Sequence, residues 1–167
     1  AALLRQLPQM EIWMFLDYQL PSEETKNKFW QYVQRLRLES NLKLYPNTPN
    51  REMPYYLSRV GDSGGLMIST STLEGFGYAV AEALACRCPV LTTDSDGVRL
   101  FIKHNETGKF FAYPQVGQAV AGALELMDHH EQREKIRSMG EQHVHQWLSP
   151  QQYADSFRQM LQSLGVK

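Results

Sequence analysis

The sequence predicts an α/β fold: a Rossmann-like parallel sheet with helices on both faces. Short apolar runs rich in aromatic and β-branched residues alternate along the chain with segments whose apolar residues recur at helical spacing. Strand and helix in turn is the pattern of parallel strands joined by helical crossovers. The 167 residues are 43% hydrophobic and 21% charged, ordinary proportions for one globular domain with its own core, which excludes disorder as the main state. Seventeen Lys and Arg against eighteen Asp and Glu leave a formal charge of -1, so no global field draws the chain to nucleic acid. No run approaches the roughly 20 apolar residues of a membrane span, and the N-terminus lacks the order of a signal peptide. The two cysteines, Cys86 and Cys88, stand too close for a structural crosslink and fit a reduced, cytoplasmic compartment.

Each element has a local reason. Residues 1–7 read as the tail of an amphipathic helix without a cap. Glu11 to Asp17 is a short apolar run and a buried strand, with Trp13 and Phe15 in the core. Pro21 and Ser22 open a helix with Glu23 and Glu24 in its first turn and Phe29, Val33 and Leu36 at helical spacing, running to about Glu39. Leu42 to Tyr45 is a strand ended by Pro46. Arg51 to Val60 is a helix broken by Gly61 and the Gly64, Gly65 pair. Leu66 to Ile68 forms the third strand, and a helix follows from about Gly77 to Cys86. Pro89 to Thr92 is a strand, Val98 to Lys103 a short helix, and Lys109 to Phe111 a small strand. The last third is helical, with one stripe from Val116 to Met127 and another through Tyr153, Phe157, Met160, Leu161 and Leu164.

In such sheets ligands sit beyond the carboxyl ends of the strands, where a loop feeds a helix. The junction from Leu66 to Glu82 reads LMISTSTLEGFGYAVAE. Gly75 and Gly77 flank Phe76 and allow close backbone approach, and the amides of the helical turn that follows suit a diphosphate. Glu74 precedes that turn, and Glu82 falls roughly 7 to 8 Å along the helix axis, at about 1.5 Å per residue. Each carboxylate can accept two hydrogen bonds from a vicinal diol. A nucleotide sugar presents ribose hydroxyls, two phosphates and sugar hydroxyls in matching order. The plainer alternative makes Glu74 and Glu82 solvated acids at a helix start. Tyr45 and Tyr78 are candidates for base or sugar contact, with packing as the alternative. Cys86 and Cys88, His129 and His130, and His143 and His145 lack partners at metal-site spacing, so neither metal nor cofactor is expected.

The segment from Glu74 to Val90 resembles the signature of the group 1 (family 4) retaining glycosyltransferases of GT-B fold, and Asn105 to Gly108 resembles their downstream turn. Tyr45, Pro46, Met53, Pro54, Tyr55, Tyr56 and Gly65 are similar in order and spacing to the sucrose-phosphate synthase branch. The resemblance implies that residues 1–167 are the donor-binding half of a two-domain enzyme, lacking its first strand and the N-terminal acceptor domain. It also implies a UDP-, ADP- or GDP-linked sugar donor and a hexosyl group transferred with retention. By resemblance Glu74 holds sugar hydroxyls, Glu82 the ribose, Gly75, Phe76 and Gly77 the sugar and diphosphate through their amides, and Leu44 to Pro46 lie by the base.

The sequence departs from that pattern in places. Leu16 to Gln19 lacks the family's glycine, Asn47 to Asn50 replaces a basic stretch, Asp96 and Gly97 stand where two glycines are usual, and Leu100 stands where Glu is common. The family's diphosphate-binding Arg and Lys fall before Ala1. The chain alone is therefore expected to bind donor weakly and transfer nothing, with its catalytic residues unassigned. The alternative function is a noncatalytic binding or interaction module of the same fold, whose partner meets an exposed apolar surface.

Overall fold

The computed structural model describes residues 1–17 and 19–165; Tyr18, within the Leu16 to Gln19 departure, and the last two residues lie outside the described residues. The chain forms two compact units, Ala1–Met53 and Pro54–Lys167.

In the first unit Leu3–Arg5 is a single 3-10 turn, too short to be the amphipathic helix expected there. Strand β1 (Ile12–Leu16), helix α1 (Glu23–Arg35) and strand β2 (Leu42–Pro46) follow. Ser22 caps α1 by accepting the Thr25 amide at 3.3 Å, with Glu23 and Glu24 at the positive end of the dipole. The helix stops at Arg35, short of Glu39, because Arg37 takes φ 53°, a left-handed conformation that ends a right-handed helix. β1 and β2 pair in parallel from Ile12 opposite Leu42 to Leu16 opposite Pro46. Trp13 and Phe15, expected in the core, are half-buried, and Met14 is exposed. Two strands and one helix do not enclose both faces of a sheet.

In the second unit helix α2 (Met53–Asp62) runs through Gly61 instead of breaking there. A Cβ on Gly61 would lie 2.7 Å from the Arg87 carbonyl oxygen, so the glycine serves close backbone approach. Then come β3 (Met67–Ser69), α3 (Tyr78–Ala85), β4 (Val90–Thr93), α4 (Asp96–Arg99), β5 (Lys109–Phe111), α5 (Val116–Asp128), α6 (His130–Trp147) and α7 (Pro150–Ser163). The strands form a parallel sheet in the order β3-β4-β5. Every residue of β4 is buried, which is why it reads as an unbroken apolar and threonine run. The fully buried side chains of this unit include Leu84, Val90, Leu91, Phe101, Leu126 and Ile136.

α3 packs on α6. Arg133 of α6, 4% exposed, donates to the carbonyls of Leu126, Gly61 and Gly65, tying α6 to the end of α5 and to the close of α2. The short helix expected at Val98 to Lys103 lies earlier, over Asp96–Arg99. α7 buries no residue: of the second apolar stripe predicted for the C-terminal third, Tyr153, Phe157, Met160 and Leu164 are exposed and Leu161 is half-buried.

Candidate functional site

β3 ends at Ser69 and α3 begins at Tyr78, so residues 70–77 form the loop between the carboxyl end of a strand and a helix N-terminus. Gly77 is the N-cap of α3 with φ 80° and ψ 38°, a left-handed conformation that only glycine takes without strain. A Cβ there would meet the Gly97 carbonyl oxygen and Val98 Cγ1, both at 3.2 Å. The amides of Tyr78, Ala79 and Val80 occupy the turn in which a helix leaves its N–H groups without intrahelical acceptors.

Glu74 turns one carboxylate oxygen onto this end: its Oε1 accepts the Gly77 amide at 3.2 Å. A carboxylate offers about four lone-pair sites, so capacity remains for further donors. Glu82 lies within α3 and is exposed. The two acids predicted to work together thus belong to one loop-helix segment, one before the helix N-terminus and one past its first turn. Gly75 is exposed, with nothing within 4 Å of a Cβ built on it.

Phe76 serves a different end from direct contact. Its ring packs at 5.3 Å from Phe101 and 6.4 Å from Trp147, and those two rings meet at 5.7 Å. The side chain therefore anchors the loop from behind. Tyr78 sits against Phe76 at 4.5 Å between ring centroids and is 70% exposed, so its ring is available at the mouth of the site. Tyr45 belongs to the first unit, where its ring stacks on Phe15 at 5.1 Å and tilts against Trp13 at 5.5 Å.

Local pattern in the sequence assigns no loop-holding role to Thr93, Gly97 or His143. The Thr93 hydroxyl at the end of β4 donates to the Ser71 carbonyl. The Gly97 amide donates to the Glu74 carbonyl at 2.9 Å, and a Cβ on Gly97 would stand 2.4 Å from that same oxygen. A His143 ring nitrogen bonds the Leu100 carbonyl at 2.8 Å, linking α6 to the end of α4. The available signal was the small, polar stretch from Thr92 to Gly97 after a buried strand. Cys88 is 1% exposed and burial pushes its thiol up to about 12, so it is an inert packing residue. Among the described residues no group of three or more His, Cys, Asp or Glu is placed to hold a metal ion.

A glycine-rich loop thus joins the carboxyl end of β3 to the start of α3 in a Rossmann-like domain, with one carboxylate before the helix start and one past its first turn. The chain belongs to the family described as Glycosyl transferases group 1, which matches residues 22–143. It is 30% identical over 100 residues to a Xenopus tropicalis protein named Glycosyltransferase 1 domain-containing protein 1, covering 60% of this chain and 28% of that one. Among solved structures, Anabaena HepE in complex with UDP and glucose aligns with a TM-score of 0.80 at 19% identity, over 96% of this chain and 44% of that one. Sucrose-phosphate synthase from Thermosynechococcus elongatus aligns with a TM-score of 0.75 at 18% identity, over 97% of this chain and 41% of that one. The fold is thus the Rossmann-like α/β arrangement of one half of a GT-B protein. The chain spans less than half the length of these relatives.

Proposed function

We propose that the chain is the nucleotide-sugar half of a retaining hexosyltransferase of the family 4 type, with Glu74, Gly75, Phe76, Gly77, Tyr78 and Glu82 as its donor site. The observation that carries this is the Glu74 carboxylate seated on the Gly77 amide at the left-handed start of α3, with Glu82 exposed further along the same helix. The diphosphate takes the amides of the first turn, the sugar hydroxyls take the spare lone pairs of Glu74, and the ribose diol takes Glu82. Phe76 contributes its backbone amide, positioned by the aromatic packing of its ring. Tyr45 is carried as a candidate for base contact by the resemblance alone.

In glycosyl transfer, negative charge grows on the departing diphosphate, so donors fixed there before reaction lower the barrier. The α3 amides supply that role within this chain. By the resemblance, basic groups and an acceptor domain that these 167 residues do not supply would complete the catalytic machinery. The two free thiols support a reducing, cytoplasmic setting. The donor in the HepE complex favours UDP-linked glucose over ADP- or GDP-linked alternatives. The sucrose-phosphate synthase branch is retained for the Tyr45 and Met53 to Tyr56 similarities.

A noncatalytic interaction module is the second reading, favoured by the exposed Tyr153, Phe157, Met160 and Leu164 of α7. Calorimetric titration with UDP, ADP and GDP separates the two. The donor site predicts weak heat with one of them and no glycosyl transfer by the 167 residues alone. A folded sample giving no heat with any of the three contradicts it.

A further inference from the structure

The amide of Gly97 goes to one acceptor, although the residue two positions before it is a serine in N-cap geometry. Ser95 is the N-cap of α4, with the extended backbone (φ -140°, ψ 158°) that such a residue requires. A serine in that position ordinarily accepts from the amide of the second or third helical residue, here Gly97 or Val98. The amides of Val98 and Arg99 go to the Ser95 carbonyl at 3.1 and 3.2 Å, and that of Gly97 goes to the Glu74 carbonyl at 2.9 Å. Ser95 makes no cap bond. Its hydroxyl oxygen, in a residue 7% exposed, is the one buried side-chain polar atom without a partner among the described residues. An unpaired buried hydroxyl destabilises the state that holds it.

We propose that Ser95 is a second seat for the Gly97 amide and that the segment 72–75 exchanges between two arrangements. In the docked one the Glu74 carbonyl holds Gly97. In the released one Glu74 withdraws, Ser95 rotates about its Cα–Cβ bond, and its hydroxyl oxygen caps the Gly97 amide. The backbone of Ser95 already has the cap geometry, so side-chain rotation suffices. The moving piece lies between two anchors: Ser71, whose carbonyl is held by Thr93, and Phe76, whose ring is held by Phe101 and Trp147. Between them Leu73 is 92% exposed and a Cβ on Gly75 would meet nothing within 4 Å. Docking in turn needs a glycine at 97, since a Cβ there would lie 2.4 Å from the Glu74 carbonyl oxygen and 2.7 Å from the Phe76 amide nitrogen. The exchange moves Glu74, and so opens and closes the sugar end of the site; that consequence rests on the donor site proposed above.

Relaxation-dispersion NMR on the ligand-free 167-residue chain tests the exchange at the amides of Leu73, Glu74, Gly75 and Gly97. Wild type is expected to show dispersion there. Ser95→Ala removes both the second seat and the unpaired hydroxyl, and is expected to shrink the released population by about two- to tenfold and flatten the dispersion at those amides. Gly97→Ala is expected to move the Leu73 to Gly75 signals to the minor-state positions that the wild-type dispersion reports. Absence of dispersion in wild type, or an unchanged profile in Ser95→Ala, overturns the proposal. No ligand enters these measurements, so they stand apart from donor binding; a separate titration with UDP-glucose that shows no binding counts against the donor site and leaves the exchange in place.

Discussion

Glu82 and Glu74 carry the same charge but differ in surroundings, and their removal should differ in effect. On the proposed division of roles, a nucleoside diphosphate without its sugar reaches Glu82 alone. Glu82→Ala is therefore expected to weaken nucleoside diphosphate binding by about tenfold or more, the loss of one charge-assisted interaction, while Glu74→Ala changes it little. Equal losses in a calorimetric comparison would contradict the division of roles. Gly77→Ala forces a side chain into φ 80° and against the Gly97 carbonyl, and is expected to cost about 1 to 3 kcal/mol in denaturant unfolding. The two acids and the glycines between them were legible in the sequence because a glycine-aromatic-glycine insert follows a buried strand and precedes a helical pattern, with an acid on either side. The supporting residues were not. Gly97 and Thr93 act through contacts with residues about twenty positions away, Glu74 and Ser71, and nothing in local periodicity reports such a meeting.

Secondary elements were mostly visible, and two of the misreadings share a cause. Gly61 looks like a helix breaker, yet α2 passes through it because the glycine lets the Arg87 carbonyl come close. Arg133 looks like part of a solvated charged face, yet it is buried and bonded to three carbonyls. In both cases a tertiary contact overrides a local preference. Arg133→Met keeps the length of the side chain and leaves those carbonyls without their donor, each costing about 1 to 3 kcal/mol, so the domain is expected to lose at least about 3 kcal/mol. Chemical denaturation of the variant measures it, and a loss under about 1 kcal/mol would show that solvent replaces the guanidinium. Gly140→Ala sets a methyl 2.8 Å from Leu84 Cδ2 and 3.0 Å from the Thr107 carbonyl oxygen where α3 meets α6. Overpacking of this kind is expected to cost about 1 to 3 kcal/mol in the same measurement.

At the scale of the whole molecule the parallel α/β class follows from the alternation of elements, whereas the pairing of strands into sets of two and three does not. Alternation specifies handed crossovers but does not say which strands become neighbours. The exposed face of α7 was likewise invisible: its apolar stripe reads the same whether a partner covers it or not. Acid stability is also a property of the whole. The hydrogen bond from Lys109 holds Glu125 below its ordinary value of 4.5, and that from Arg137 does the same for Glu134. Folded values below unfolded ones mean that the unfolded chain takes up protons first. The stability these pairs add is complete above about pH 4.5 and fades as pH falls through the lower folded values. Glu125→Gln is expected to flatten the acid limb of the melting temperature against pH, modestly, since that carboxylate is half exposed.

The central claim is that the start of α3 receives the diphosphate of a sugar nucleotide. Titration of the isotope-labelled chain with UDP-glucose, followed through its amide NMR signals, addresses it most directly. The largest shifts are predicted at the amides of Gly75 through Val80. Saturable shifts clustered on another part of the chain, with these six unmoved, would contradict it.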